Sequence, residues 1–253
     1  MKEKFHEYEK MHAVEGSLWW YKILHTLILD YTNSLFKNNK EIEILDAGCG
    51  TGGLMKRLIQ EGYHNVQGFD ISEHAIAFTR ERGLNVHQMD LMAFSDQALG
   101  QTFDLIISND TLNYFGNEQE QRQVLNNFYS NLRPGGILIM NLAAFNAFKG
   151  IHDMAVGIKL RFTLKSFTAL LQGMGFELHS KRFWPFFLSP IIYWVRRKQQ
   201  HRIASGDYEV TSDIDLPSQP VNAALHGLTR LELLFSKSYP IGSSLMVVLK
   251  KTG

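Results

Sequence analysis

The sequence predicts an α/β protein built on a doubly wound sheet. Three observations carry this prediction. Short apolar segments alternate with helical patterns between residues 42 and 183. One of these segments runs straight into a glycine turn, Leu45-Asp46-Ala47-Gly48-Cys49-Gly50-Thr51-Gly52-Gly53, and then into an amphipathic stretch over residues 54–59. The segment 103–108 is nearly continuous in apolar residues, as expected of a parallel strand covered on both faces.

Residues 1–16 are polar and mixed in charge and read as a loose or helical arm. Ser17 is placed to cap a helix over 18–29, where Trp20, Ile23, Leu24, Leu27 and Ile28 have helical spacing. The first strand opens at Ile42, and its turn uses glycines, which reach positive φ and let a ligand touch the backbone. A turn at 61–65 precedes the second strand, 66–70, which ends in Asp70. Ser72 caps a helix to about Arg82, and Gly83 stops it. The third strand, 84–89, ends at Asp90, and the fourth spans 103–108. A helix over 118–132, the turn Arg133-Pro134-Gly135-Gly136 and a fifth strand at 137–141 follow. Residues 143–157 read as irregular; Thr163 caps a helix ending near Gly173. The sixth strand is expected at 176–183, and the last of seven, antiparallel to the others, at 244–251. This divides the chain into an N-terminal helical unit (1–39), a core (40–183 and 241–253) and a cap inserted before the last strand (184–240).

Composition narrows the function classes. The 253 residues carry a net charge of +1, which provides no general field for nucleic acid. The single cysteine, Cys49, excludes an internal disulfide and a cysteine metal site, and the ten histidines show no metal-ligand spacing, so no metal is expected. The first residues lack an apolar signal core, and no apolar run reaches the ~20 residues that span a bilayer, so a cytoplasmic setting is expected. The segment 183–195 is nonetheless strongly apolar and aromatic, and Arg196-Arg197-Lys198 follows it at once. It reads as a roof over the site, or as an interfacial segment (183–198) in peripheral contact with a membrane.

A strand, a glycine turn and a helix together place backbone N–H groups and a helix N-terminus against a ligand. The spacing Gly48-x-Gly50-x-x-Gly53 also fits a dinucleotide fingerprint, so an NAD-dependent oxidoreductase is one reading. Asp46 opposes it. A carboxylate directly before the glycines repels a pyrophosphate and suits a cationic amine. Asp70 is placed for ribose hydroxyls, and Asp90 lies where an adenine amino group would sit.

This set resembles the class I S-adenosylmethionine-dependent methyltransferases, which have a Rossmann-like sheet. The matching residues are the run from Leu45 to Gly52, Gly68-Phe69-Asp70-Ile71-Ser72, Met89-Asp90-Leu91, Phe103-Asp104-Leu105-Ile106 and Leu132-Arg133-Pro134-Gly135-Gly136. The resemblance implies S-adenosyl-L-methionine as cofactor, with S-adenosyl-L-homocysteine as product. It implies that Asp46 and Gly48 flank the methionine part, that Asp70 binds the ribose and Asp90 with Leu91 the adenine, and that Gly50 and Ile71 also contact the cofactor. Asn109, just past the fourth strand, would lie near the sulfonium. Leu18-Trp19-Trp20-Tyr21 resembles the HWWY/F helix of a subgroup acting on sugars, lipids and natural products, with Leu18 in place of histidine. It implies a lid role for Trp20 and Tyr21. His152-Asp153 and Arg161-Phe162-Thr163 resemble that subgroup's HD…RRFT stretch, with Leu160 replacing one arginine. Ser212 to Pro217 resembles its SDL.LP stretch. His152 is the candidate base in a loop on the ligand face, and Tyr114 a candidate for the acceptor pocket. The expected activity is methyl transfer to O or N of a small-molecule, sugar or lipid-like acceptor, by a monomer or homodimer. A non-catalytic cofactor-binding module is the other alternative.

Overall fold

The computed structural model describes residues 2–95, 98–235 and 238–253. Seven strands among them form one sheet: β1 (Ile44–Ala47), β2 (Val66–Asp70), β3 (Val86–Gln88), β4 (Phe103–Asn109), β5 (Leu132–Ala143), β6 (Phe176–Trp184) and β7 (Ser244–Lys251). Their order is β3-β2-β1-β4-β5-β7-β6. The pairs joining β3, β2, β1, β4 and β5 are parallel, and β7 inserts antiparallel between β5 and β6.

Side-chain alternation builds the two layers. Leu138, Met140 and Leu142 on β5, with Leu245, Val247 and Leu249 on β7, enter one apolar core. Ile137, Ile139, Met246 and Val248 enter the other. A period of two sends successive residues to opposite faces, so a strand buried on both must be apolar throughout. Helices α5 (Glu118–Asn131) and α7 (Leu164–Leu170) cover the first face through Val124, Leu125, Phe128, Phe167 and Leu170. Helices α2 (Trp19–Leu35), α3 (Gly53–Gln60) and α4 (Glu73–Glu81) cover the second through Ile23, Leu27, Leu54, Leu58 and Ile76.

Several elements differ from the sequence reading. The polar arm is a helix, α1 (Lys2–Val14). Ser17 does not cap α2: Leu18 holds the cap position, without a side-chain bond. The acceptor comes from the cap instead, where α9 (Gln219–Phe235) supplies Asn222 Oδ1 to the Trp19 N–H at 2.9 Å. Asn222 Nδ2 returns a bond to Ser17 O at 2.9 Å. The first and third strands are shorter than expected. Asp90 lies beyond β3, and Asn109 is the last residue of β4 rather than outside it. The Pro134-Gly135-Gly136 turn is a bulge within β5, where the register to β4 shifts between Phe103 and Leu105. The stretch read as irregular contains α6 (Ile151–Val156), and the cap contributes α8 (Ser189–Ser205). Ser72 and Thr163 cap α4 and α7 as expected.

Candidate active site

The glycine turn joins β1 to α3 at the carboxyl end of the sheet. Gly48, Gly50 and Gly52 all have positive φ, +81°, +55° and +82°. At Gly48 a side chain would also run into Thr111, so the close approach adds to the conformational demand. Gly50 N–H donates to Asp70 Oδ2 and Ser72 N–H to Asp70 Oδ1, each at 2.9 Å. One carboxylate thereby ties the turn to the start of α4, and each oxygen keeps a lone pair for a further donor.

The N-terminus of α3 is already occupied. Glu15, just past α1, is buried and accepts from Thr51 Oγ1 at 2.6 Å and Gly53 N–H at 3.1 Å. It also pairs with Arg82 Nη2 at 2.6 Å. A Cβ at Gly53 would collide with this carboxylate. A dinucleotide site places its pyrophosphate at this helix end. Here the protein's own anion fills it, which argues against the NAD reading on structural grounds.

Above the turn lies a cavity of about 740 Å³. Its floor is the sheet end: Asp46 from β1, Asp70 from β2, Asn109 from β4 and the segment Met89-Asp90-Leu91. Gly48, Gly50 and Ile71 complete that side. Its roof is made by Tyr8 and Met11 of α1, Trp20 and Tyr21 of α2, and Ile192 and Arg196 of α8. Tyr114 and His152 line its outer part. Every site residue singled out in the sequence therefore meets in one cavity.

The electrostatics are set by burial. Asp46 is 2% exposed, and burial, reinforced by the charges of Asp70 and Glu15, raises its carboxyl to about 8. Asn109 Oδ1 is buried and has no hydrogen-bond partner among the described residues. A buried carboxyl and an orphaned carbonyl oxygen facing one cavity fit a cationic group, which would satisfy both acceptors. Asp90 Oδ1 accepts from Met92 N–H at 2.9 Å, leaving its other oxygen for an amino donor. Trp20 stacks on Trp184 with centroids 5.5 Å apart, so the lid aromatic is itself held from below.

His152 differs from its expected role. It lies on α6, not on a loop, and its Nδ1 accepts from Asp213 N–H at 3.1 Å. That bond leaves the ring proton on Nε2, which makes Nε2 a donor rather than a base. Burial lowers its pKa further, favouring the neutral ring. Asp153 does not orient His152. It forms a buried pair with Arg161, Nη2 to Oδ1 at 2.7 Å and Nε to Oδ2 at 3.1 Å. Asn113, beside Tyr114, is a structural clamp: its amide bonds Ala143 O and N–H and Leu160 O.

The sequence reading missed Asp110. This residue lines the cavity next to Asn109 and has φ +55°. Asn141 Nδ2 donates to both its oxygens at 3.1 Å, while burial raises its carboxyl to about 7. The strand pattern located the end of β4, but the left-handed turn that swings Asp110 inward leaves no periodic signature. Glu15 was missed because a single acid in a polar arm carries no pattern.

Residues 38–159 match the family of methyltransferase domains. Over 156 residues, 60% of this chain, the sequence is 30% identical to the malonyl-[acyl-carrier protein] O-methyltransferase of Bacillus cereus and covers 55% of that protein. The chain spans about half the length of the curated relatives it matches. An S-adenosylmethionine-dependent methyltransferase from Clostridium acetobutylicum superposes with a TM-score of 0.58 at 14% identity, over 92% of both chains. The N-methyltransferase NodS from Bradyrhizobium japonicum, solved with S-adenosyl-L-homocysteine, gives 0.55 at 14% identity over 92% of this chain and 88% of its own. At these identities the likeness is one of fold. Over residues 38–159 the chain thus resembles methyltransferase domains, and its fold is the one these solved methyltransferases share.

Proposed function

We propose that the protein transfers a methyl group from S-adenosylmethionine to an oxygen or nitrogen of a small or lipid-like acceptor. The observation that carries this reading is the set of buried acceptors on the cavity floor: Asp46 and Asn109 for a cationic amino acid portion, Asp70 for ribose hydroxyls and Asp90 for an adenine amino group. Bound S-adenosylmethionine supplies an electrophilic methyl on a sulfonium. The chain's work is then to bind, orient and exclude water, which can lower a barrier by roughly 7–11 kcal/mol at the extreme.

Asp110 is the group we assign to accept the acceptor's proton. Its raised value, about 7, makes it a stronger base than an exposed carboxylate while leaving it ionised above neutrality. His152, neutral and with Nδ1 engaged, donates from Nε2 to an acceptor oxygen. Tyr114, 41% exposed with that surface on the cavity, frames the acceptor side.

The test uses labelled S-adenosylmethionine with a panel of carboxylic acids, phenols and amino sugars. For an acceptor that is turned over, kcat/KM should rise with pH and level off above about 7. Asp110→Asn should lower kcat by about 10²–10⁴-fold while leaving cofactor affinity within a small factor. An unchanged pH profile in the variant removes Asp110 from this role. Absence of turnover across the panel, with cofactor bound, would favour a non-catalytic module.

A further inference from the structure

The cap presents an outward surface that the methyl-transfer site does not use. Helix α8 has its apolar and basic residues separated along its length rather than around it. Near its start Ile191 is 60% exposed and Trp194 58%, with Tyr193 and Val195 also exposed. Arg196, Arg197, Lys198 and Arg202 follow, and the helix contains no acid. Arg196 pairs with Asp213, but among the described residues Arg197, Lys198 and Arg202 are in no ion pair. Lys198 Nζ lies 3.5 Å from the centroid of the Trp194 ring, joining the two halves.

The last turn of α9 adds to the same end of the cap. Glu232 accepts from Phe186 and Phe187 N–H, and Tyr239 stacks on Phe186 at 4.5 Å. This holds the end of α9 against the entry to α8. Leu234 is 78% exposed there and Phe235 71%. Large exposed side chains at two adjoining helix ends, with cations outside any ion pair within about two turns of Trp194, form an apolar tip with a basic collar.

We infer that this tip docks on an anionic lipid surface, with Ile191, Trp194, Leu234 and Phe235 entering the acyl boundary and Arg197, Lys198 and Arg202 meeting phosphate headgroups. Aromatic and aliphatic groups backed by long cationic side chains match the layered polarity of a bilayer interface. Helix α8 also turns Ile192 and Arg196 into the cavity, so docking sets the cavity wall beside the membrane. This extends the proposed lipid-like acceptor and rests on that reading only for what enters the cavity.

Co-sedimentation tests it, using phosphatidylcholine vesicles with and without phosphatidylglycerol. The full chain should sediment with the anionic vesicles, and added salt should release it. The pairs Trp194→Ser with Leu234→Ser, and Arg197→Glu with Lys198→Glu, should each weaken partitioning roughly tenfold or more. None of these four residues lines the cavity, so calorimetric cofactor binding without vesicles should be unchanged in both variants. That measurement separates failure of docking from failure of the methyltransferase reading. No partitioning of the unaltered chain, or equal partitioning of the variants, overturns the inference. A dimer in light scattering that both variants abolish would assign the tip to a second copy. Retention on polyglutamate without vesicle binding would assign it to an acidic protein.

Discussion

Asp46 is a buried acid on the cavity floor whose ionisation the empty fold opposes. Burial and two neighbouring acids hold its carboxyl at about 8, far above the unfolded carboxylate range of ~4. The folded chain therefore binds more protons than the unfolded chain between those values. The contribution to stability is complete below ~4 and is lost as pH rises through about 8. Asp46→Asn removes that loss. Without ligand the variant should melt above the unaltered protein at pH values beyond 8, and the gap should close toward pH 4, as followed by scanning calorimetry. The same change should weaken S-adenosylmethionine binding by about 1.5–3 kcal/mol, the worth of a hydrogen bond to a charged group. A variant that melts lower at high pH would show that Asp46 is not a protonated, destabilising acid. His25 shows the opposite response to burial: it is pushed down to about 4 and stays neutral on the cavity wall.

At the scale of elements, α1 is tied to the core by the buried acid that follows it and by contacts along the helix. Glu15 links it to Thr51, to the first turn of α3 and to Arg82, and His12 stacks on Phe78 of α4 at 4.5 Å. Gly53→Ala places a methyl group in the Glu15 carboxylate. It should cost about 1–3 kcal/mol, the range for a buried polar group losing its partner, and should open α1 to proteases before the core unfolds. Limited proteolysis with thermal melts checks this, and unchanged protection of residues 2–14 would contradict it. The core elements were legible because their causes are local: apolar runs, Ser72 and Thr163 as caps, glycines at φ-positive positions. The α2 start was misread because its acceptor, Asn222, comes from more than two hundred residues away. The tautomer of His152 depends on Asp213 N–H, sixty-one residues further along the chain, which no local pattern encodes.

For the whole molecule, β7 returns the chain to the middle of the sheet between β5 and β6. The preceding helices α8 and α9 thus fold over the sheet end where the cavity opens, and α9 reaches back to α2. Two segments remote in sequence, α1–α2 and the cap, close one space over the strand ends. That closure is what the strand motifs alone did not reveal, although the residues they marked all face it. No helix among the described residues is long and apolar enough to cross a membrane. The central claim is that this space holds S-adenosylmethionine against Asp46, Asp70 and Asp90. Calorimetric titration of the full chain, at neutral pH and in buffers of different ionisation enthalpy, measures it most directly. The account predicts saturable binding at one site, with net proton release as the cationic ligand pulls Asp46 below its free value of about 8. It also predicts weaker binding by Asp70→Ala. Folded protein that takes up neither S-adenosylmethionine nor S-adenosylhomocysteine, or that binds NAD in their place, would contradict it.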